Sequence, residues 1–235
     1  MAKLLPPATK YPDFDTLSRN LSSSIAADLR AAITARGQAS LVVSGGRSPV
    51  KLFEDLRVHD LDWSRVSVRL VDERWVDPSD PSSNERLVRE NLLKGRAAAA
   101  RFTGLKNAAA TPTLGAASAW ATFATVPRPF DILVLGMGDD GHTASLFPHS
   151  PNLAAGLDLS AAPGCIGMTA PSAPTERLSL NLAALLNSRR IVILLNGESK
   201  WHTYIAASQS GPTEHMPVRA VLRQQQTPVE VIWAP

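Results

Sequence analysis

Apolar residues recur at Phe14, Leu17, Leu21, Ile25, Leu29 and Ile33. Steps of three and four put them on one face of an amphipathic helix over 14–36, and Gly37 is a fitting terminator. The pattern then shortens. Ala39–Val43 is an apolar run of strand length, and it leads into a Gly-Gly turn and Pro49, a residue suited to the first turn of a helix through Leu52, Phe53 and Leu56. The alternation continues with a strand at Val66–Val71, a polar loop at 78–84, and helices over 85–93 and 115–125. Ile132–Leu135 and Ile191–Leu195 are fully apolar and read as buried strands, with shorter strands at Cys165–Thr169 and Val229–Trp233. Residues 177–186 begin as strand and turn to helix, and a further helix runs through Ala207. The Ala-rich stretch 95–115 carries little pattern, and 149–164 reads as loop.

Strands alternating with helices predict an α/β fold, a three-layer sandwich whose mostly parallel, doubly wound sheet has helices on both faces. Neither an internal repeat nor a linker interrupts the pattern, so one domain over 1–235 is expected.

Composition narrows the function classes. With 44% hydrophobic and 19% charged residues, the 235-residue chain can bury a full core. Net charge is only +3 and the basic residues form no run, which gives no support for nucleic-acid binding. The slight basic excess suits a protein handling small anions, and suits many others. A single cysteine, Cys165, leaves no internal disulfide framework or cysteine-rich metal site, and its apolar neighbours favour a buried, inert thiol. The N-terminus, Met1–Pro7, lacks the apolar core of a signal peptide, and no stretch is long enough to cross a bilayer. A cytoplasmic protein without membrane partners is expected.

Four polar or glycine-rich segments follow strands: 44–49, 72–75, 136–142 and 196–200. In a parallel sheet these ends can face one crevice, where open α/β proteins place ligands. Ser44-Gly-Gly-Arg-Ser-Pro49 has the makings of an anion cradle, with glycine backbone N–H groups and a helix N-terminus converging. A tight turn with a serine N-cap is the simpler reading. Gly136-Met-Gly-Asp-Asp-Gly141 matches the dinucleotide fingerprint, but two carboxylates inside the loop would repel a pyrophosphate. Asp139, Asp140 and His142 suit acid–base work better: histidine can take a proton from water and an adjacent carboxylate can orient it. Aspartates capping backbone N–H groups would explain the same residues. Thr143 could cap a short helix through Leu146, stopped by Pro148. A zinc site using His142 and His149 lacks a third ligand. Asp72 and Arg74 offer a carboxylate and a guanidinium able to hold phosphate or carboxylate bidentately, while Arg177 and Lys200 are further anion ligands. Each of these charges alone also reads as a solvated surface group.

Together the segments resemble the 6-phosphogluconolactonase family. The resemblance rests on Ser44-Gly-Gly-Arg-Ser-Pro-Val-Lys-Leu-Phe53, on Asp72-Glu-Arg-Trp-Val76 with Ser83-Asn84 after it, and on Leu135-Gly-Met-Gly-Asp-Asp-Gly-His-Thr-Ala-Ser-Leu-Phe-Pro148. Arg177-Leu-Ser-Leu-Asn181 and Gly197-Glu-Ser-Lys200 extend it over nearly the whole chain. It implies hydrolysis of 6-phosphoglucono-1,5-lactone to 6-phosphogluconate, the second step of the oxidative pentose phosphate pathway, with no cofactor and no metal. It further implies His142 as general base beside Asp140, and Arg74 as a substrate-binding residue with Asp72 nearby. Ser44, Gly45, Gly46, Arg47 and Ser48, with Arg177 and Lys200, would hold the phosphate. Ser48 stands where the family usually has threonine, and keeps the hydroxyl. The expected partner is a small sugar-phosphate lactone, with the protein a monomer or weak homodimer.

Two alternatives accompany it. A sugar-phosphate deaminase or isomerase of the same fold resembles Asp-Gly-His-Ile-Ala-Phe-Asn-Glu-Pro in this segment; here Phe147 occupies the glutamate position, so a relay carboxylate is missing. A sugar-phosphate-sensing domain of a transcription regulator would need a helix-turn-helix, and the helix at 14–36 starts too early to leave room for one.

Overall fold

The computed structural model describes residues 6–235; the first five residues, part of the stretch read above for a signal peptide, lie outside them. In chain order the strands and helices begin β1 (Ala8–Lys10), α1 (Phe14–Arg36), β2 (Ala39–Val43), α2 (Pro49–Leu56) and β3 (Val66–Leu70). They continue with β4 (Asp72–Arg74), α3 (Asn84–Asn91), β5 (Arg101–Phe102), α4 (Pro112–Ala121), β6 (Ile132–Leu135) and α5 (Leu153–Leu157). The last third adds β7 (Cys165–Thr169), β8 (Glu176–Leu180), α6 (Leu182–Leu186), β9 (Ile191–Asn196), α7 (Glu198–Ser208), α8 (Val218–Arg223) and β10 (Val229–Ala234).

Local signals set α1. Asp13 caps its start by accepting from the Thr16 N–H at 2.6 Å, and Gly37, at φ 75°, ends it with its N–H on the Ile33 carbonyl. Leu17, Leu21, Ile25 and Leu29 are buried along the predicted face. The main sheet has seven strands in the order β1-β10-β9-β6-β2-β3-β5, all paired in parallel, with helices around it. Its central strands β2, β6 and β9 are apolar because both faces are covered.

A second sheet stands beside the single one that the sequence predicts. β4, β8 and β7 form an antiparallel three-stranded sheet in the order β4-β8-β7. Val71 is the transfer point between the two sheets. Its N–H donates to the Val43 carbonyl in the main sheet at 3.0 Å, while its own carbonyl accepts from Leu180 N–H at 2.8 Å. The predicted strand over 66–71 therefore stops at Leu70, and the chain turns Asp72 and Arg74 over the carboxyl ends of the main strands.

The predicted Thr143–Leu146 helix does not form. Thr143 Oγ1 donates back to the Gly136 carbonyl at 2.9 Å instead of accepting a helical N–H, and Ala144 takes the left-handed conformation at φ 50°, which a helix does not allow. Within 149–164, read as loop, residues 153–157 form α5. Cys165 is half-buried, and burial pushes its thiol up to about 12. No described helix is long and apolar enough to cross a membrane.

Candidate active site

A cleft of about 260 Å³ opens at the carboxyl ends of β2, β6 and β9. Ser44, Gly45, Gly46, Arg47, Ser48, Asp72, Arg74, His142 and Lys200 all line it. Asp140 and Arg177 stand behind that first layer, each in contact with it.

The 44–48 segment joins β2 to the N-terminus of α2. Among the described residues, no backbone group accepts from the N–H groups of Gly45, Gly46, Arg47 or Ser48. Ser48 makes no side-chain cap bond, so the simpler reading of a serine N-cap fails. Ser44 Oγ accepts weakly from the Gly136 N–H at 3.4 Å, tying this loop to the glycine turn after β6. Free N–H groups at a helix N-terminus present partial positive charge to the cleft.

The glycine turn presents His142. The Asp140 carboxylate accepts from the His142 backbone N–H at 3.0 Å and lies 2.6 Å from Nδ1. A carboxylate only accepts, so in the neutral ring Nδ1 carries the proton and Nε2 keeps a lone pair, with no partner for it among the described residues. Burial pushes the Asp140 carboxyl up, but hydrogen bonds and charge from His142 outweigh it and leave it below its ordinary value. A Cβ on Gly138 would sit 2.1 Å from His142 Nδ1 and 2.5 Å from Asp140 Oδ1, so only glycine admits the pair. The imidazole packs on the buried Phe147 ring at 4.3 Å between centroids.

β4 carries the second group. Asp72 accepts from Ser145 Oγ at 2.6 Å, and Arg74 donates to the Ser82 carbonyl and to Asn84 Oδ1, the latter at 2.8 Å. Between them Glu73 is buried and faces away. It accepts from the backbone N–H groups of Arg74, Asn84 and Glu85 and so fixes the start of α3 to β4. Burial pushes its carboxyl above the ordinary value, and those N–H groups pull it part of the way back.

Arg177 lies beside Arg74 across the β4–β8 pairing. It is buried, its Nε has no hydrogen-bond partner among the described residues, and its guanidinium sits 5.9 Å from the Phe147 ring centroid. Burial, then the like charge of Arg74, hold its pKa below the ordinary arginine value. Two adjacent guanidiniums, one incompletely bonded, suit an anion. On the opposite wall, Lys200 in the first turn of α7 pairs with Asp139 at 2.9 Å, and Ser199 Oγ donates to the same oxygen at 2.8 Å. The Lys200 hydrogen bond is the main cause holding the Asp139 carboxyl below its ordinary value.

Asn84 and Ser145 were not singled out as site residues from sequence. Each lies inside a quoted motif, but only the fold brings both to Asp72. Among the described residues no cluster of three or more His, Cys, Asp or Glu side chains is placed to hold a metal ion.

Comparisons with known proteins agree in one direction. The family model described as glucosamine-6-phosphate isomerases/6-phosphogluconolactonase matches residues 12–233. The chain is 45% identical over 234 residues to a 6-phosphogluconolactonase of Pseudomonas putida, covering 98% of this chain and 95% of that one. It is 47% identical over 218 residues to the Pseudomonas aeruginosa 6-phosphogluconolactonase, covering 93% and 90%. The crystal structure of a 6-phosphogluconolactonase from Shewanella baltica superposes with a TM-score of 0.94 at 45% identity, covering 99% of this chain and all of the other. The chain belongs to the glucosamine-6-phosphate isomerase/6-phosphogluconolactonase family.

Proposed function

We propose that this chain hydrolyses 6-phosphoglucono-1,5-lactone to 6-phosphogluconate, with all catalytic groups drawn from one copy of a single domain. The observation that carries the mechanism is the His142–Asp140 pair, whose bonded Nδ1 leaves Nε2 free in a cleft lined by unpaired backbone N–H groups. A lactone is already electrophilic, so catalysis consists mainly of binding the phosphate, placing a water and moving its proton.

His142 Nε2 takes a proton from that water as its oxygen bonds to the lactone carbonyl carbon. The resulting imidazolium is held by Asp140. Arg74 donates to the carbonyl oxygen as it becomes an oxyanion, with Asp72 beside it. Such preorganised donors matter most where charge develops. The carbonyl then re-forms, the bond to the ring oxygen breaks, and that oxygen leaves with the proton from His142. The products are a free hydroxyl and a carboxylic acid, which ionises. The phosphate is held by the N–H groups and hydroxyls of 44–48, by Arg47 and Arg177, and by Lys200 from the opposite wall. The buried Phe147 supports hydrolysis over deamination, because no carboxylate stands there to relay a proton. The mechanism calls on no cofactor. A phosphorylated sugar acid lactone is a cytoplasmic metabolite of the oxidative pentose phosphate pathway, and we place the activity there.

His142→Ala should lower kcat by about 10²–10⁴-fold, the usual share of a general base. The measurement is a direct hydrolysis assay on freshly prepared lactone with its spontaneous opening subtracted. Near-full turnover by the variant would remove His142 from the mechanism.

A further inference from the structure

Asn84, the first residue of α3, is 1% exposed and lies where three loops of the cleft meet. Its Oδ1 accepts from Arg74 Nη1 at 2.8 Å. Its Nδ2 donates to the Asp72 carbonyl at 2.9 Å and approaches Asp72 Oδ1 at 3.4 Å. From the third loop Gly45 presses against the same amide: a Cβ there would fall 1.8 Å from Asn84 Oδ1 and 2.2 Å from its Cγ.

We infer that Asn84 is a positioning residue for the lactonase reaction, an amide clamp that sets the Arg74 guanidinium in register with Asp72 and with the 44–48 loop. The chemistry selects this side chain. Arg74 can only donate and the Asp72 carbonyl and carboxylate can only accept, so the group between them must accept on one side and donate on the other. An amide does both and is neutral. An aspartate would set a second carboxylate against Asp72, and an alanine would leave buried polar atoms without partners. The glycine at 45 belongs to the same device, because any larger residue would push the amide off one of its two charged neighbours. The orientation of the amide is thereby dictated by the charges on either side of it.

The inference rests on Arg74 acting at the developing oxyanion, so its effect belongs in kcat. Displacement of a catalytic group by about 1 Å costs on the order of 10²-fold in rate. Asn84→Ala should therefore lower kcat by about 10–10²-fold while KM for the phosphorylated lactone changes by less than about threefold. A double-mutant cycle with Arg74→Ala should be strongly non-additive, since the amide acts through the guanidinium. Gly45→Ala should reduce kcat in the wild-type background and cost little more in the Asn84→Ala background, where the space it needs is free.

All variants are assayed on freshly made lactone, with folding checked by circular dichroism and thermal melting. Should Asn84→Ala not fold, the Gly45→Ala and Arg74→Ala variants with their double mutant carry the same cycle. An Asn84→Ala enzyme of wild-type kcat, a loss confined to KM, or effects that simply add to those of Arg74→Ala would overturn the clamp. If Arg74→Ala itself keeps wild-type kcat, it is the oxyanion assignment that has failed. An impaired Arg74→Ala beside an unimpaired Asn84→Ala condemns the clamp alone.

Discussion

At the scale of single residues, the site depends on polar groups whose partners fix which atoms are left free. His142 shows this most directly: Asp140 occupies Nδ1 and thereby sets the tautomer that leaves the lone pair on Nε2. Asp140→Asn should lower kcat by about 10²-fold or more, because an amide can present its NH₂ to Nδ1 and favour the opposite tautomer. The same substitution tests a stability effect. The Asp140 carboxyl lies below its ordinary value of 3.8 in the folded protein. Its contribution to stability is therefore present above that value and lost as pH falls through the lower folded-state value. Urea titrations of Asp140→Asn and the parent should change in parallel above about pH 4, with the parent alone showing the additional acid loss. A difference that grew toward alkaline pH would contradict the sign. His142, Asp140, Arg74 and Lys200 were legible as candidates from residue type and place. Asn84 and Ser145 were not, because an uncharged polar residue has meaning only through its neighbours.

At the scale of elements, long and capped segments were legible and short ones were not. α1 runs over the predicted residues, because its apolar steps span about five turns and both caps are local. Leu29 is fully buried in its second half, and Leu29→Ala should destabilise the protein by about 2–5 kcal/mol, against about 1 kcal/mol for Asp13→Ala at the N-cap. Urea midpoints with unchanged slopes would measure both. Equal losses would mean that α1 is held by its cap rather than by its packing. By contrast β1, β5 and α8 span three, two and six residues, too few for a period to appear. β4 reads in sequence as the polar segment after β3, because nothing in Val-Asp-Glu-Arg marks a change of sheet. The Thr143–Leu146 segment had a capping threonine and a stopping proline, yet its hydroxyl found a better acceptor in Gly136.

At the scale of the whole molecule, the cleft joins residues from positions 44, 72, 142 and 200, so ligand and fold stabilise one another. 6-Phosphogluconate at about a hundred times its Kd should add about 2.7 kcal/mol of stability, an increase in Tm of roughly 5–10 °C for a chain of this size. Arg177→Ala and Lys200→Ala should lose most of that increase, whereas His142→Ala should keep it, since the base does not hold the phosphate. Thermal melting with and without the product measures all three. A full shift in the Arg177 and Lys200 variants would move phosphate binding elsewhere.

Periodicity, caps and motif chemistry needed only the chain itself. They specified an α/β architecture, most of its long elements, a candidate catalytic turn at 136–142 and the charges around it, because these depend on contacts within a few residues. The second sheet, the transfer at Val71 and the meeting of Gly45, Asp72, Arg74 and Asn84 came from tertiary structure alone. These depend on hydrogen bonds between segments far apart in the chain, and such partners leave no periodic trace in sequence.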